Sequence, residues 1–491
     1  MRIIHFDTQT SDWLLCIQRT SSHSSEIWFG ALNDMLDEPR ARLQLLDEQG
    51  NELACEEVWP GQWQQPFAPH SAGFCRVTRF DNLQANTRYR VMFLRQLEPQ
   101  LYGADAWQDV SSGEFSTLPD AIPGPDETPF TIALASCYYA HRDAGAAAAA
   151  YRALHSHGAP GYQPDITFLT GDQVYLDIGL DSIAFGECAI YRHISEEYAT
   201  NWKGMGSIMR CGATWMLPDD HEFWNDFPFY DCESIPALLP LKIDRVRLAR
   251  TAASMLGVQH IQRSRPVEIL HIGTDLQICL ADFRTQRSAS GFTDEASLRQ
   301  IIDWAEQLTC PGILVSSQPL ISAPESLERN LTTYAVQYQR LIRALGSSGH
   351  DILSMTGDVH FGRICWVPFA HGKGRLIEMT ASPLSNLTGL NGVATAVANH
   401  TPAHFPHNQP NPDSSNRVRY LRGRYCMPDL PQELFAYPCA RTREHFMTAS
   451  LQKDAAGHLQ LEAQGWLVRE TDCAGLPRPA FERGPFRVRL R

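Results

Sequence analysis

Short runs in which polar and apolar residues alternate fill the first part of the chain. The clearest runs are "EIWFGAL", "RARLQLLD", "GFCRVTRFDNL", "RYRVMFLRQ" and "SGEFSTLP", and turn-forming residues separate them. Successive side chains of a β-strand point to opposite faces of the sheet, so this alternation is typical of half-buried antiparallel strands. The pattern predicts a β-sandwich over residues 1–118.

A proline-rich segment follows the predicted sandwich. The stretch "LPDAIPGPDETP" contains four prolines and one glycine, and residues of these types interrupt regular structure. Residues 119–129 are therefore predicted to form a linker.

The pattern changes at residue 130. The runs "FTIALASC", "PDITFLTGD", "LQICLADFR", "GILVSSQPL" and "DILSMTGDVH" are almost continuously apolar, and stretches of helical type such as "DAGAAAAAYRALHSH" and "TDEASLRQIIDWAEQL" lie between them. Buried strands that alternate with helices are typical of a layered α/β domain. Residues 130–491 are predicted to form this domain, with a closing hairpin made of "FMTASLQ" and "HLQLEAQGWLVRE".

Composition and charge limit the possible partners. The 491 residues are 43% hydrophobic, which is ordinary for a folded chain of this length. The net charge of -13 disfavours sequence-independent nucleic-acid binding, because that binding depends on clustered Lys and Arg. The N-terminus shows neither a signal peptide nor a twin arginine, and no run approaches the roughly 18 apolar residues of a membrane span. These features predict a cytoplasmic protein without a membrane partner, and the 13 cysteines, which include no C-x-x-C pair, predict mostly reduced thiols.

Four of the predicted strands end in residues that favour binding chemistry over packing. Ligands bind beyond the carboxyl ends of the strands in open α/β sheets, so these polar ends are expected to meet at one site. The residues concerned are Ser136 and Cys137, then Gly171, Asp172 and Tyr175, then Asp219, Asp220 and His221, and finally Gly357, Asp358 and His360.

The donor atoms at these strand ends suit metal ions. Carboxylates, imidazoles, a phenolate and a thiolate bind hard or borderline cations, and a phenolate in particular suits Fe(III). A thiolate among carboxylates differs from the tetrahedral Cys/His sets of structural zinc. Two cations about 3.5 to 4 Å apart, bridged by one carboxylate, form the usual clamp for in-line displacement at phosphorus. A pair of cations of this kind would suit hydrolysis of a phosphate ester.

These motifs support a resemblance to a known family. "GD-x-x-Y" at residues 171–175, "DDHE" at 219–222 and "GDVH" at 357–360 resemble the metallophosphoesterase signature as modified in the alkaline phosphatase D (PhoD-like) family. The segments "ASC", "LADFRTQR", "ILVSSQPL" and "IEMTASPLSN" extend the resemblance over residues 130–390. "LQANTRYRVMFLRQ" followed by "GEFSTL" is similar to a fibronectin type III sandwich, which precedes catalytic domains in this family. The resemblance implies a four-layer αββα domain after that sandwich.

The resemblance also implies cofactors and residue roles. It implies a dinuclear or trinuclear centre with Fe(III) and Ca(II), in which Mg(II), Mn(II) or Zn(II) could replace the calcium ion. His221 would assist the leaving group, and Arg284 and Arg287 would bind phosphate oxygens. The implied reaction is attack of a metal-activated hydroxide on a small phosphate mono- or diester. The implied metal ligands are Cys137, Asp172, Tyr175, Asp220, Asn225, Asp358 and His360.

The chain departs from the ordinary metallophosphoesterase pattern at three places. Ser136 and Cys137 stand where Asp-x-His is usual, Asp220 stands in place of an asparagine, and Asp358 stands in place of a histidine. The two added carboxylates make the predicted site more anionic, which favours hard and highly charged ions.

Two other functions stay open at this point. A metal-independent hydrolase would use Cys137 as the nucleophile and His360 as its base, and a chelator would not inhibit it. A pseudo-enzyme would keep the metal centre for a binding role and would show no turnover. The segment at residues 399–416, which includes His404 and His407, is interpreted as an ordinary loop, with a lid as the alternative.

Overall fold

A computed structural model describes most of the 491-residue chain. The described residues are 2–5, 12–32, 36–103, 105–177, 186–229, 246–248, 250–252, 257–323, 329–369, 373–385, 402–406, 416–421, 444–481 and 483–491.

Among the described residues of the N-terminal region, eight strands form two sheets. They are β1 Arg2–His5, β2 Trp13–Thr20, β3 Ser24–Ala31, β4 Ala41–Leu46, β5 Glu52–Val58, β6 Phe74–Asp81, β7 Arg88–Gln96 and β8 Ala106–Ser116. One sheet has the order β1-β8-β7-β4-β5 and the other has the order β2-β3-β6. All neighbouring strands in these sheets are antiparallel except β1 and β8.

The two N-terminal sheets pack on each other through aromatic side chains. The ring centroid of Phe93 lies 5.1 Å from that of Phe29 and 5.7 Å from that of Trp13. This region is thus a pair of packed β-sheets, and its likeness to fibronectin type III stays a prediction. Residues 119–129 contain no helix or strand, although Ile122 among them is buried.

Two larger sheets follow. Their strands are β9 Phe130–Ala135, β10 Ile166–Thr170, β11 Ala213–Leu217, β12 Val267–Ile272, β13 Leu276–Ala281, β14 Gly312–Val315, β15 Ile352–Thr356, β16 Arg363–Pro368, β17 Arg375–Thr380, β18 Arg419–Tyr420, β19 His445–Lys453, β20 Leu459–Thr471, β21 Pro477–Pro479 and β22 Phe486–Arg489. Sheet I has the order β11-β10-β9-β19-β20-β21, with β22 also paired to β20, and sheet II has the order β12-β13-β14-β15-β17-β16-β18. The predicted closing hairpin is confirmed, since β19 and β20 pair antiparallel.

Helices other than the short Pro99–Tyr102, which lies between β7 and β8, cover the outer faces of sheets I and II. The α-helices are Pro99–Tyr102, Ala140–Asp143, Ala146–His157, Gly186–Arg210, Glu295–Glu306 and Ala335–Ser347, the 3-10 turns are Pro160–Tyr162, Asp220–Glu222 and Leu331–Thr333, and Gly257–Gln262 is a π-helical turn.

Side chains on the two faces of each strand enter different cores. Phe168 of β10 and Ile313 of β14 belong to one buried cluster between the sheets. Leu169 faces the other way and packs in the cluster of the helices Ala146–His157 and Gly186–Arg210, whereas Leu314 packs in that of Glu295–Glu306 and Ala335–Ser347. The predicted α/β layering is confirmed.

The N-terminal region packs directly on the α/β region. Trp28 of β3 and Trp202 of the helix Gly186–Arg210 are both fully buried, and their ring centroids lie 5.1 Å apart. The outer face of the sheet β2-β3-β6 is therefore covered by a helix that also covers sheet I.

Three other features concern the sequence predictions. Within the described ranges, no helix is both long and apolar enough to cross a membrane, and no two described cysteines form a disulfide. In the predicted loop at 399–416, Nδ1 of His404 lies 3.1 Å from Oδ1 of Asn416. His407 and most of that loop lie outside the described residues.

Candidate metal centre

The polar strand ends of both sheets meet at one place. Strands β9, β10 and β11 are mutually parallel, and so are β13, β14, β15 and β17, so the carboxyl ends within each set lie along one edge. The predicted convergence of the ligands is therefore observed. Side-chain donor atoms lie within 4.8 Å of one another in three groups, which are Cys137, Asp172 and His360, then Asp172, Asp220 and His221, and then Asp219, Asp220 and Asp358.

The two Gly-Asp pairs allow the strand ends to approach closely. A Cβ atom on Gly171 would lie 2.5 Å from Cβ of Asp219, and one on Gly357 would lie 2.3 Å from Oγ of Ser136. Gly171 also has a φ of 100°, which other residues rarely adopt. Glycine is thus required by local packing at both positions.

Four predicted ligands have left-handed backbone conformations. The φ angle is 59° at Cys137, 55° at Asp172, 69° at Asp358 and 53° at His360. Residues other than glycine seldom adopt positive φ, and such residues cluster at functional sites because the surrounding structure must hold them there. These residues lie just beyond the ends of β9, β10 and β15, and their side chains supply donor atoms to the clusters.

Asp172 is the middle of the cluster. Its Oδ2 accepts hydrogen bonds from the Cys137 thiol and the Tyr175 hydroxyl, both at 3.3 Å. Its Oδ1 lies 3.4 Å from the backbone nitrogen of His221. Burial, together with the neighbouring carboxylates, raises the pKa of Asp172 well above its usual range although His221 opposes this. Cation binding would relieve this destabilisation of the charged carboxylate.

Three further carboxylates crowd the opposite side of the centre. Among the described residues, no donor is hydrogen-bonded to the buried atoms Oδ2 of Asp219 and Oδ1 of Asp220, and Oδ2 of Asp358 accepts one hydrogen bond from Nε2 of Gln318 at 3.1 Å. Burial raises the pKa of Asp219 and, with the neighbouring aspartates, that of Asp358. The pKa of Asp220 is lowered instead, because Arg284 and His221 outweigh its burial. Buried carboxylate oxygens without donors are the arrangement that a hard cation would satisfy.

Sequence reasoning assigned no role to Glu222, which is fully buried. Its Oε2 accepts hydrogen bonds from the backbone nitrogens of Asp172 at 3.0 Å and Asp219 at 2.8 Å. Its Oε1 accepts from the backbone nitrogen of Gln173 at 2.8 Å and from Nε2 of Gln262 at 3.0 Å. Burial raises the pKa of Glu222 to about 7, and its amide donors oppose that rise. Glu222 thus joins the loops that follow β10 and β11.

Asp177 was also missed, although it lies close to "GD-x-x-Y". Its Oδ1 lies 2.7 Å from Nδ1 of His221, and its Oδ2 accepts from the backbone nitrogen of Asn225 at 2.8 Å. Burial alone would lower the pKa of His221, but Asp177 and the aspartates Asp172 and Asp220 raise it well above its usual value. These carboxylates favour the protonated imidazole, and its Nδ1 is directed at Asp177.

The guanidinium groups of Arg284 and Arg287 form hydrogen bonds with other residues of the chain. Nε of Arg284 lies 2.5 Å from Oδ1 of Asp219, and its Nη1 donates to the carbonyl oxygen of Phe227 at 3.1 Å. Arg287 uses Nε, Nη1 and Nη2 in hydrogen bonds to Phe283, Arg329 and Gln318. Both side chains are buried. Their predicted role in binding substrate oxygens stays a prediction.

The thiol of Cys137 lies in surroundings that oppose its ionisation. The side chain is fully buried, and Oγ of Ser382 donates to its sulfur at 3.1 Å. Burial, followed by the charges of Asp172 and Asp358, raises the pKa of Cys137 well above its usual value. A cation next to the sulfur would reverse this effect, because metal coordination deprotonates a thiol.

The seven predicted ligands differ in how closely their side chains approach the clusters. Cys137, Asp172, Asp220, Asp358 and His360 all supply atoms to the clusters, and Tyr175 reaches Asp172 with its hydroxyl. For Asn225 the described contact is that of its backbone nitrogen with Asp177. Its role as a ligand stays a prediction.

Comparisons with known proteins bear on the fold. A solved structure described as "Structure of PhoD" is similar to this chain with a TM-score of 0.61 and 14% sequence identity, and the match covers 98% of this chain and 92% of that chain. A β-glucuronidase from Ruminococcus gnavus covers 77% of this chain and 63% of its own, but its TM-score of 0.26 at 9% identity carries no argument. No protein-family model and no curated protein matches the chain. The resemblance to the PhoD-like family is confirmed for the fold.

Proposed function

We propose that this protein is a metal-dependent phosphoesterase, an alkaline phosphatase or phosphodiesterase that hydrolyses small phosphate mono- or diesters. One observation carries the proposal, namely that Cys137, Asp172 and His360 converge and are joined by Asp220 and Asp358 at one edge of the two sheets. The similarity of the fold to a PhoD structure supports it. Clustered carboxylates with a histidine and a thiol have no apolar packing role that would explain their burial.

The residues fit two neighbouring cation positions. Cys137, Tyr175 and His360 would hold the first ion, for which a phenolate and a thiolate favour Fe(III). Asp220, Asp358 and Asn225 would hold the second, which we propose to be Ca(II) or, alternatively, Mg(II), Mn(II) or Zn(II). Asp172 would belong to both positions. Such cations supply positive charge that stabilises the developing charge on phosphoryl oxygens.

His221 is suited to donate a proton to the leaving group. Its Nδ1 is bound by Asp177 at 2.7 Å, which leaves Nε2 to act on the substrate. The carboxylates that surround the ring raise its pKa, which favours the protonated form. A protonated imidazole in a fixed orientation is an effective general acid.

The geometry disfavours the metal-independent alternative. A cysteine nucleophile must ionise readily, and low thiol pKa values are found beside cations or helix N-termini. Cys137 instead lies beside two aspartates, with its pKa raised well above the usual value. We therefore give this thiol the role of a metal ligand.

Elemental analysis of the purified protein with a visible spectrum tests the proposal. We expect bound iron and a tyrosinate-to-Fe(III) absorption band that is lost in Tyr175→Phe. Tyr139→Phe is the matched control, because its ring packs 5.7 Å from that of Tyr175. The band should remain in this control.

Turnover of p-nitrophenyl phosphate and bis-p-nitrophenyl phosphate should stop on chelation and return when metal is restored. Chelator-resistant turnover that iodoacetamide abolishes would instead support the cysteine nucleophile. Bound metal without turnover of either ester would support the pseudo-enzyme.

A further inference from the structure

The four hydrogen bonds to Glu222 require an ionised carboxylate. All four partners are donors, and three of them are backbone N–H groups that belong to Asp172, Gln173 and Asp219. An ionised carboxylate offers about four lone-pair positions, whereas an amide side chain would direct its own N–H groups at half of these donors. A glutamine at this position would therefore lose about half of these hydrogen bonds.

Glu222 is oriented by Gln262, the last residue of the π-helical turn Gly257–Gln262. Nε2 of Gln262 donates to Oε1 of Glu222 at 3.0 Å and to Oε1 of Gln173 at 2.6 Å. Both Glu222 and Gln262 are buried. A single side chain from the turn thus fixes Glu222 and the loop after β10 together.

The same turn is attached to the N-terminal region. Nε2 of Gln18, on β2, donates to the carbonyl oxygen of Ile261 at 2.9 Å. Nε1 of Trp28, on β3, donates to the carbonyl oxygen of His260 at 3.2 Å. A continuous set of hydrogen bonds therefore runs from the sheet β2-β3-β6 through the turn to Glu222 and the backbone of the candidate ligands.

We propose that Glu222, held by Gln262, is a positioning residue for the metal centre, and that the N-terminal sheets anchor it through the turn Gly257–Gln262. This inference rests on the proposed function. Glu222 fixes the relative position of the loops that carry Asp172 and Asp219, and so sets the spacing of the carboxylates that bind cations. The N-terminal region thereby acts as part of the support of the site.

Metal affinity tests this role directly. The wild type, Glu222→Gln and Gln262→Met are stripped of metal with a chelator and titrated with Mn(II), with unbound Mn(II) followed by electron paramagnetic resonance. Glu222→Gln should bind Mn(II) roughly 10- to 100-fold more weakly, which is the usual effect of changing a residue that orients metal ligands. Gln262→Met should weaken binding in the same direction by a smaller factor.

Asp351→Asn is the matched control. Asp351 is a fully buried carboxylate that accepts backbone N–H groups of Arg375 and Arg491, and it lies at the opposite end of β15 from Asp358. This variant should lose thermal stability and yet bind Mn(II) with an affinity close to that of the wild type.

The outcomes separate this inference from the proposed function. Equal Mn(II) affinity in Glu222→Gln and an active, metal-binding wild type would overturn the positioning role alone. A wild type that binds no metal and hydrolyses neither p-nitrophenyl ester would overturn both proposals. If Glu222→Gln does not fold, Gln262→Met decides, and an unchanged affinity in that variant overturns the inference.

Discussion

Sheets I and II hold their strand-end loops with buried glutamates of different kinds. Glu378, in β17, accepts the backbone N–H groups of Leu320 and Ile321 at 2.6 and 3.0 Å, and it also pairs with the guanidinium of Arg363. Glu222, beside sheet I, accepts four amide N–H groups. The two residues perform the same structural task, but only for Glu378 do the described contacts include a cationic side chain.

This difference indicates which side of the candidate site would depend more on a bound ion. The charge of Glu378 is paired within sheet II with Arg363, and Glu378 holds the backbone of Leu320 and Ile321. The charge of Glu222 adds to that of the nearby aspartates, and burial raises its pKa to about 7. We infer that sheet II is the preformed side of the centre and that sheet I gains more from a bound cation.

The largest expected loss of stability comes from a substitution that breaks the buried ion pair of sheet II. Arg363→Met leaves the charge of Glu378 buried without its counter-ion, and such changes cost about 3–5 kcal/mol of unfolding free energy. Urea unfolding in the presence of a chelator measures this loss. A cost below about 1 kcal/mol is the scale of an exposed ion pair. Such a small loss would contradict the inference that this pair stabilises sheet II without a metal ion.

The next effect concerns close packing on sheet I. Gly171→Ala places a Cβ 2.5 Å from that of Asp219, and overpacking of this kind costs about 1–3 kcal/mol. Gly50→Ala is the control, because Gly50 also has a positive φ, of 85°, but meets nothing within 4 Å. Thermal unfolding of both variants should show the greater loss for Gly171→Ala, and equal losses would mean that the backbone angle alone matters.

A third prediction compares how strongly metal stabilises the two sides. A ligand that binds only the folded state stabilises it in proportion to the logarithm of its affinity. Glu222→Gln should therefore lose about 1.4–2.8 kcal/mol of the stabilisation by saturating Mn(II), which corresponds to a 10- to 100-fold weaker affinity. Unfolding with and without Mn(II) gives this difference, and Arg363→Met should retain the full stabilisation by metal.

A fourth prediction uses the pH dependence of turnover. The neighbouring carboxylates raise the pKa of His221 in the folded protein, so the proton needed for general acid catalysis is lost as the pH rises through that raised value. Asp177→Asn removes the first of these carboxylates, and the alkaline limb of kcat should move to lower pH. Phenyl phosphate should show the shift more clearly than p-nitrophenyl phosphate, because its leaving group is more basic. An unmoved limb would mean that His221 is not the acid.

The smallest effect tests the anchor on the N-terminal sheets. Gln18→Leu removes the donor to the carbonyl of Ile261, which weakens the support of Gln262 without touching any candidate ligand. We expect a loss of Mn(II) affinity smaller than that of Gln262→Met, measured in the same titration. A loss of affinity larger than that of Glu222→Gln would contradict the proposal that Gln18 acts on the centre through Gln262 and Glu222.

The sequence predicted the strand-end residues because they follow apolar runs at recognisable points. Asp172, Asp358 and His360 come directly after buried strands, and the parallel pairing of those strands brings their ends together. The layered arrangement could be predicted for the same reason. The ion pair between Arg363 and Glu378 could not, since it joins positions on β16 and β17 that no spacing rule connects.

Glu222 was missed despite a local signal. Asp219 and Glu222 form a capping box at the start of the short 3-10 turn, and the spacing Asp-x-x-Glu in "DDHE" is the signature of that motif. The link to Gln262 had no such signal, because the partner of a glutamine at the end of a short π-helical turn is set only by tertiary packing. Asp177 was missed because its contact with His221 spans two loops.

The left-handed backbone at Cys137, Asp172, Asp358 and His360 also limits how the site can be redesigned. Asparagine, aspartate, histidine and glycine tolerate positive φ, whereas β-branched residues do not. Variants meant to change the ion that we propose for this site should therefore draw on asparagine, aspartate and histidine at these four positions. A threonine or valine there would destabilise the folded loop, so its effect on ion binding could not be measured separately.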